Sequence, residues 1–188
     1  MILIGISGKR RTGKTTLAEI LAKTYGFTHL SFAKVLKQEV RDKFGLTQCE
    51  TDGANKESII PSLGITPREV MIRWGQAVRG IDPNYWVKQV QAEILGATQA
   101  QLGRYVISDV RFINEADWIR RHGGNLIRLE RDESYTGTNI DDPSETQLDG
   151  YFFDYVVASE ANCKLQDLET TAKGISQWLQ LSDSAKSL

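Results

Sequence analysis

The sequence predicts an α/β fold: a parallel sheet of about five strands covered by helices on both faces. Three observations carry this expectation. Short apolar runs at Met1–Ile6, Phe27–Phe32, Tyr105–Ser108, Leu126–Leu129 and Phe153–Ala158 have the length and composition of buried strands. Stretches with apolar residues at helical spacing alternate with them, the pattern of strand–helix–strand units. Glycines stand where such helices must stop, at Gly26, Gly45 and the Gly123-Gly124 pair. In a sheet of this kind, ligands bind at the carboxyl ends of the strands.

Taken in order, Thr15–Tyr25 places Leu17, Ala18, Ile20 and Leu21 on one helical face, and Ala33–Phe44 repeats the spacing through Leu36, Val40 and Phe44. Residues 46–65 are polar and irregular and read as a mobile loop. TPRE at 66–69 is a helix start, with Thr66 as cap, Pro67 in the first turn and Glu69 completing a capping box. Val70, Met71, Trp74 and Val78 then share a face. DPNYW at 82–86 repeats the device, with Asp82 and Pro83 opening a helix that carries Trp86, Val90 and Ile94. Asn114–His122 and Leu165–Leu181 supply two further helices, and 182–188 reads as a frayed tail.

The chain has 188 residues, enough for a single domain with a substantial core. Its net charge of −1 argues against binding a nucleic acid polymer, which calls for a strongly basic surface. The two cysteines, Cys49 and Cys163, are far apart and lack metal-ligand spacing, which suits a reducing, cytoplasmic setting. No apolar run reaches membrane-spanning length, and no signal peptide precedes the first strand.

The chemistry begins in GISGKRRTGKTT, residues 5–16, directly after the first apolar run. Gly8, Gly13, Lys14 and Thr15 satisfy G-x-x-x-x-G-K-[ST]. Glycines let backbone N–H groups of Arg10, Arg11, Thr12, Gly13 and Thr16 turn inward around phosphate oxygens, and the following helix adds its positive end. Lys14 reaches the β- and γ-phosphates, and the Thr15 hydroxyl suits Mg²⁺. The implied ligand is a nucleoside triphosphate, in a P-loop NTPase three-layer fold. A guanine-reading N-K-x-D element is missing, since the Asn-Lys of NKES at 55–58 lacks the Asp. No Asp-Glu pair of a motor ATPase ends a strand. A small P-loop domain with a long helical insertion, about 33–100, suits a small-molecule kinase.

Such a kinase must hold an acceptor and neutralise charge on the transferred phosphoryl group. YVISDVRF places Asp109 and Arg111 just past a strand. Asp109 is suited either to holding Mg²⁺ through water or to taking the acceptor's proton, and Arg111 to clamping a phosphate. Arg68, Arg79, Trp74 and Gln76 offer a monophosphate and a planar base what each requires, while helical spacing fits Trp74 and Trp86 equally to a core. Arg131 precedes a polar stretch, about 131–150, that reads as a lid bringing an arginine onto the phosphates. Neither histidine has a partner at catalytic or metal spacing in the sequence.

The segments LIGISGKRRTGKTT, SFAKVLK, TPREVMIRWGQAVRGIDPNYWV, VISDVRFINEADWIRRHGG and SETQLD together resemble the bacteriophage-type deoxynucleoside monophosphate kinases, over residues 2 to about 160. The resemblance implies transfer of the γ-phosphate of ATP, with Mg²⁺, to a deoxynucleoside monophosphate, and a possible homodimer. It implies that Lys14 and its loop hold ATP and that Lys37, Arg68, Trp74, Gln76, Arg79 and Trp86 line the acceptor site. Asp109, Arg111 and Glu115 are implied to stand between the substrates, and Asn162 to lie on the adenine side. Thr15 replaces an Asp common in that family, and Lys34 and Val35 depart from its F-A-D-P-L-K pattern.

Overall fold

The computed structural model describes residues 1–96, 103–131, 143–159 and 164–185, with only the backbone of 143 and 180–185. It divides into two compact units, one comprising Met1–Leu30 with the chain from Ala97 onward, the other Ser31–Gly96.

The first unit is built on a five-stranded sheet in which every adjacent pair is parallel: β1 (Ile2–Gly8), β2 (Thr28–Leu30), β3 (Arg104–Ile107), β4 (Asn125–Arg131) and β5 (Tyr155–Ser159). Their order across the sheet is β2-β3-β1-β4-β5. β1 is thus central, and its six buried residues alternate between faces. Ile4 and Ile6 face the helices α1 (Lys14–Tyr25) and α8 (Leu165–Ala185), packing with Leu17, Leu21, Ala172 and Ile175. The opposite face carries Gly5, whose missing side chain leaves room for Ile119 of α6 (Ile113–Arg121). β1 therefore delivers residues 8–16 to the carboxyl edge of the sheet with helices on both sides.

The second unit is helical: α2 (Phe32–Phe44), α3 (Gln48–Thr51), a 3₁₀ turn (Ala54–Glu57), α4 (Pro67–Ile81) and α5 (Tyr85–Gly96). Val40, Leu46, Ile60, Val70 and Met71 form its small core, with Leu36, Ile65 and Trp74 against it. A further short helix, α7 (Pro143–Thr146), belongs to the first unit.

The expected strands and long helices stand within a few residues of their predicted bounds, and three segments differ. Residues 46–65 are not an irregular loop. They hold α3, closed by a Thr47/Glu50 capping box, the 3₁₀ turn and a bridge between Ile60 and Ile65. Asp82 stands three residues ahead of α5, where its carboxylate accepts the Asn84 N–H at 3.0 Å. Its N–H closes α4 on the Val78 carbonyl, and α5 starts at Tyr85. The closing helix continues to Ala185, four residues past its expected end at Leu181. Among the described residues no helix is long and apolar enough to cross a membrane.

The start of α4 is held as its sequence requires. The Thr66 hydroxyl accepts from the Glu69 N–H at 3.2 Å, and the Glu69 carboxylate accepts from the Thr66 N–H at 2.9 Å. Thr66→Ala should therefore destabilise the protein by about 1 kcal/mol, read as a lower urea midpoint at unchanged slope, with Thr66→Ser close to wild type. An unchanged midpoint would mean that the cap contributes nothing to folding.

Candidate active site

The loop after β1 follows an anion-cradling path. Gly8 (φ 147°), Arg11 (φ 64°) and Gly13 (φ 94°) all have positive φ. At Gly8 a side chain would also run into the Leu129 carbonyl, so the residue is dictated twice over. Arg11 holds its left-handed conformation without being glycine, strain of the kind that collects at functional loops. Thr12 is buried and donates its hydroxyl to the Lys9 carbonyl at 2.9 Å, so that side chain fastens the loop. Thr15 is exposed at the start of α1.

Lys14 is buried, and its ammonium donates to the carbonyls of Gly8 and Lys9, both at 2.6 Å. Burial first, and then the Arg111 guanidinium, push its pKa down from 10.5 to about 7; Glu145 and Asp109 oppose that shift and Arg128 adds to it. Arg10 through Thr16, Asp109, Arg111 and Arg131 line one cavity of about 550 Å³, closed on another side by Lys164, Leu165 and Leu168 of the α8 start. The expected triphosphate residues and the expected phosphate clamp thus meet in space. Arg131 donates to the Arg11 carbonyl at 3.2 Å. Asn162 lies outside the described residues, as do 132–142, the greater part of the expected lid.

Glu115 does not face this cavity. It is 1% exposed, and its carboxylate accepts the backbone N–H of Arg111 at 2.8 Å and of Phe112 at 3.2 Å. Its structural place is the first turn of α6, where it fixes the backbone under Arg111, and not the space between two substrates.

Arg128, which with Arg131 flanks the end of the fourth apolar run, and two groups that the sequence does not single out, Glu145 and His29, also stand near these residues. Arg128 of β4 is buried, donates to the Ser7 hydroxyl at 3.4 Å and to Asp149 at 2.8 Å, and stacks over Phe153. Glu145 accepts from the Arg10 N–H and from Arg111. His29 of β2 does have a partner, the Ser108 hydroxyl at 2.7 Å, and Ser108 lines the cavity beside Asp109. Glu145 stands in SETQLD, where nothing but the family resemblance marks it.

In the helical unit the expected acceptor residues do not gather around one opening. Lys37 pairs with Asp52 at 2.5 Å, which also takes Arg41, and Arg68 pairs with Glu57 at 2.5 Å. Trp86, expected in the acceptor site, is 2% exposed and belongs to the core, its indole N–H directed at the Gly75 carbonyl. Lys34 holds Glu93 of α5 at 2.7 Å. Gln76 is exposed and Arg79 half-buried on α4. Trp74 is half-buried and donates to Glu39 at 2.8 Å, which also accepts from the Tyr85 hydroxyl at 2.5 Å. These rings, with Val78 and Ile81, line an apolar-walled cavity of about 450 Å³.

Known proteins agree with this architecture. A family model described as phosphomevalonate kinase matches residues 6–125. A putative deoxynucleotide monophosphate kinase of Acanthamoeba polyphaga mimivirus is 32% identical over 169 residues, covering 79% of this chain and 82% of that one. Among solved structures, TT1252 from Thermus thermophilus superposes with a TM-score of 0.53 at 18% identity, over 95% of this chain and 97% of its own. The dephospho-CoA kinase of Campylobacter jejuni gives 0.52 at 14%, over 97% and 100%. Fold, loop and relatives define a P-loop kinase of the nucleoside monophosphate kinase type. The chain belongs to the family of the phosphomevalonate kinase model and to that of the mimivirus protein.

The depressed Lys14 pKa has a consequence for stability. Between about pH 7, the folded value, and 10.5, the unfolded one, the unfolded chain binds a proton that the folded chain lacks. Folding stability from this group therefore rises with pH through that window, by at most about 1.4 kcal/mol per unit. Lys14→Met removes this slope. The stability of wild type relative to Lys14→Met should climb from pH 7 to 9 in parallel denaturation series; parallel pH profiles would contradict a buried, strained ammonium.

Proposed function

We propose that the protein transfers the γ-phosphoryl group of ATP to a deoxynucleoside monophosphate, giving the diphosphate and ADP. The observation that carries this reading is the 32% identity to the mimivirus protein, itself described as a putative deoxynucleotide monophosphate kinase, over a match that spans most of the chain. The loop cavity supports the donor half. Lys14, already directed into the loop, is placed to turn onto the β- and γ-phosphates, where charge accumulates as the β–γ bridging bond breaks. Arg111 and Arg131 supply the remaining positive charge around the transferred group.

The residues also fit a magnesium ion carried with the nucleotide. Thr15 offers an exposed hydroxyl and Asp109 a carboxylate on the same cavity. Two protein oxygens suit an ion that keeps water and phosphate as most of its ligands. When bound, it would offset charge on the phosphates.

For the acceptor, Trp74 and Tyr85 give the helical unit an aromatic-walled cavity whose polar lining is Glu39, Asp42, Asp82 and Lys43. Gln76, with an amide that both donates and accepts, suits either purine or pyrimidine edges. A second reading is favoured by the family model over residues 6–125: a phosphorylated alcohol of the phosphomevalonate kind as acceptor.

ADP release measured with each deoxynucleoside monophosphate, with phosphomevalonate and with dephospho-CoA separates these readings. The first should support turnover and the others should not; turnover with phosphomevalonate alone would overturn the proposal. Lys14→Ala should fall below about a tenth of wild-type turnover, a loss of more than 1.4 kcal/mol of transition-state stabilisation. Gln76→Ala should raise the acceptor KM roughly two- to twelvefold and unequally among bases, at unchanged ATP affinity. Equal effects on all bases would make Gln76 a packing residue.

A further inference from the structure

We propose that Glu145 is a positioning residue for phosphoryl transfer: its carboxylate fastens the Arg111 guanidinium to the Arg10 end of the phosphate-binding loop, so that clamp and loop meet the donor as one body. This rests on the reading of that loop and Arg111 as the holders of the donor phosphates.

The carboxylate is divided between the two. One oxygen accepts the Arg10 backbone N–H at 2.9 Å, and the other accepts Arg111 Nη1. The Glu145 side chain is only 11% exposed, and the segment that carries it is anchored on the same unit. Leu148 is buried, Asp149 is held by Arg128 at 2.8 Å, and Gln147 accepts the Ile113 N–H at 3.0 Å. Arg111 is thereby fixed from both ends, its backbone by Glu115 and its guanidinium by Glu145 and the Ser144 carbonyl at 3.2 Å.

The geometry of the fork decides between positioning and blockage. Among the described residues, both bonds of the guanidinium fall on Nη1. A guanidinium has five N–H donors, so the Nη2 and Nε edge remains to grip phosphate oxygens while Glu145 stays in place. A carboxylate that merely plugged the empty loop would have to leave for the nucleotide to enter. One that orients the clamp does its work during the reaction, when a misplaced donor is most expensive.

The test is steady-state kinetics of the full chain with ATP and its acceptor, for Glu145→Ala and Glu145→Gln, alone and with Arg111→Ala. Glu145→Ala should lower kcat roughly ten- to hundredfold with both KM values within about threefold of wild type. In the Arg111→Ala background the same change should cost less than about threefold more, because the residue acts through Arg111. Glu145→Gln, nearly isosteric, keeps an acceptor for Arg111 but turns a donor on the Arg10 N–H or the reverse, and should fall between. If Glu145→Ala does not fold, Glu145→Gln carries the same cycle. Full additivity with Arg111→Ala would overturn the proposal, as would tighter ATP binding at retained kcat. A loss confined to melting temperature, with turnover per folded molecule intact, would overturn it as well. Should Lys14→Ala retain turnover, the reading of the loop itself would fall, whatever Glu145 does.

Discussion

A lysine ammonium buried among backbone carbonyls and beside two arginines is the constraint on which the rest of the site turns. Lys14 can occupy that position because the glycine-punctuated loop supplies carbonyls at 2.6 Å and because carboxylates stand near enough to offset the guanidinium groups. Even so, burial outweighs them and lowers the lysine's pKa to about 7. A chain gains little from such an arrangement by itself. It becomes favourable once a polyphosphate brings several negative charges to the same point, the partner proposed above for this loop.

The sheet exists, from this point of view, to hold the lysine and its arginines in one place. β1 is central and delivers the loop, β3 leads directly to Asp109 and Arg111, and β4 carries Arg128 and ends at Arg131. Adjacent parallel strands all point their carboxyl ends to one edge, so three separate stretches of sequence arrive there without any long-range signal between them. The core that secures them is ordinary: Ile4, Ile6, Val106, Ile127 and Leu129 against the faces of α1 and α8.

This division explains what could be read from sequence. Strands and long helices were legible because apolar periodicity is local, and the phosphate loop because its motif fits within eight residues. The elements in 46–65 were missed although Thr47 and Glu50 carry the same capping signal as Thr66 and Glu69; four residues are too few for periodicity to show. Side-chain partners were the least legible. Nothing in the sequence places Glu145 on Arg111 or His29 on Ser108, since each pair is joined only by the fold. Charge and the family resemblance direct Arg68 and Lys37 to an acceptor, and the structure gives them Glu57 and Asp52. Trp86 shows the equal fit of an aromatic at helical spacing to core and to site, decided here for the core.

On the proposed function, the loop's buried positive charge is completed by the phosphates of the donor. Phosphates raise the pKa of a lysine they contact, so a Lys14 that is largely neutral in the free protein above pH 7 must gain a proton when ATP binds. Calorimetry of ATP binding at pH 8, in buffers of different ionisation enthalpy, measures that proton directly. Uptake approaching one proton per ATP is expected in wild type, lost in Lys14→Met. Binding with no proton uptake, or uptake that persists without the lysine, would contradict that reading.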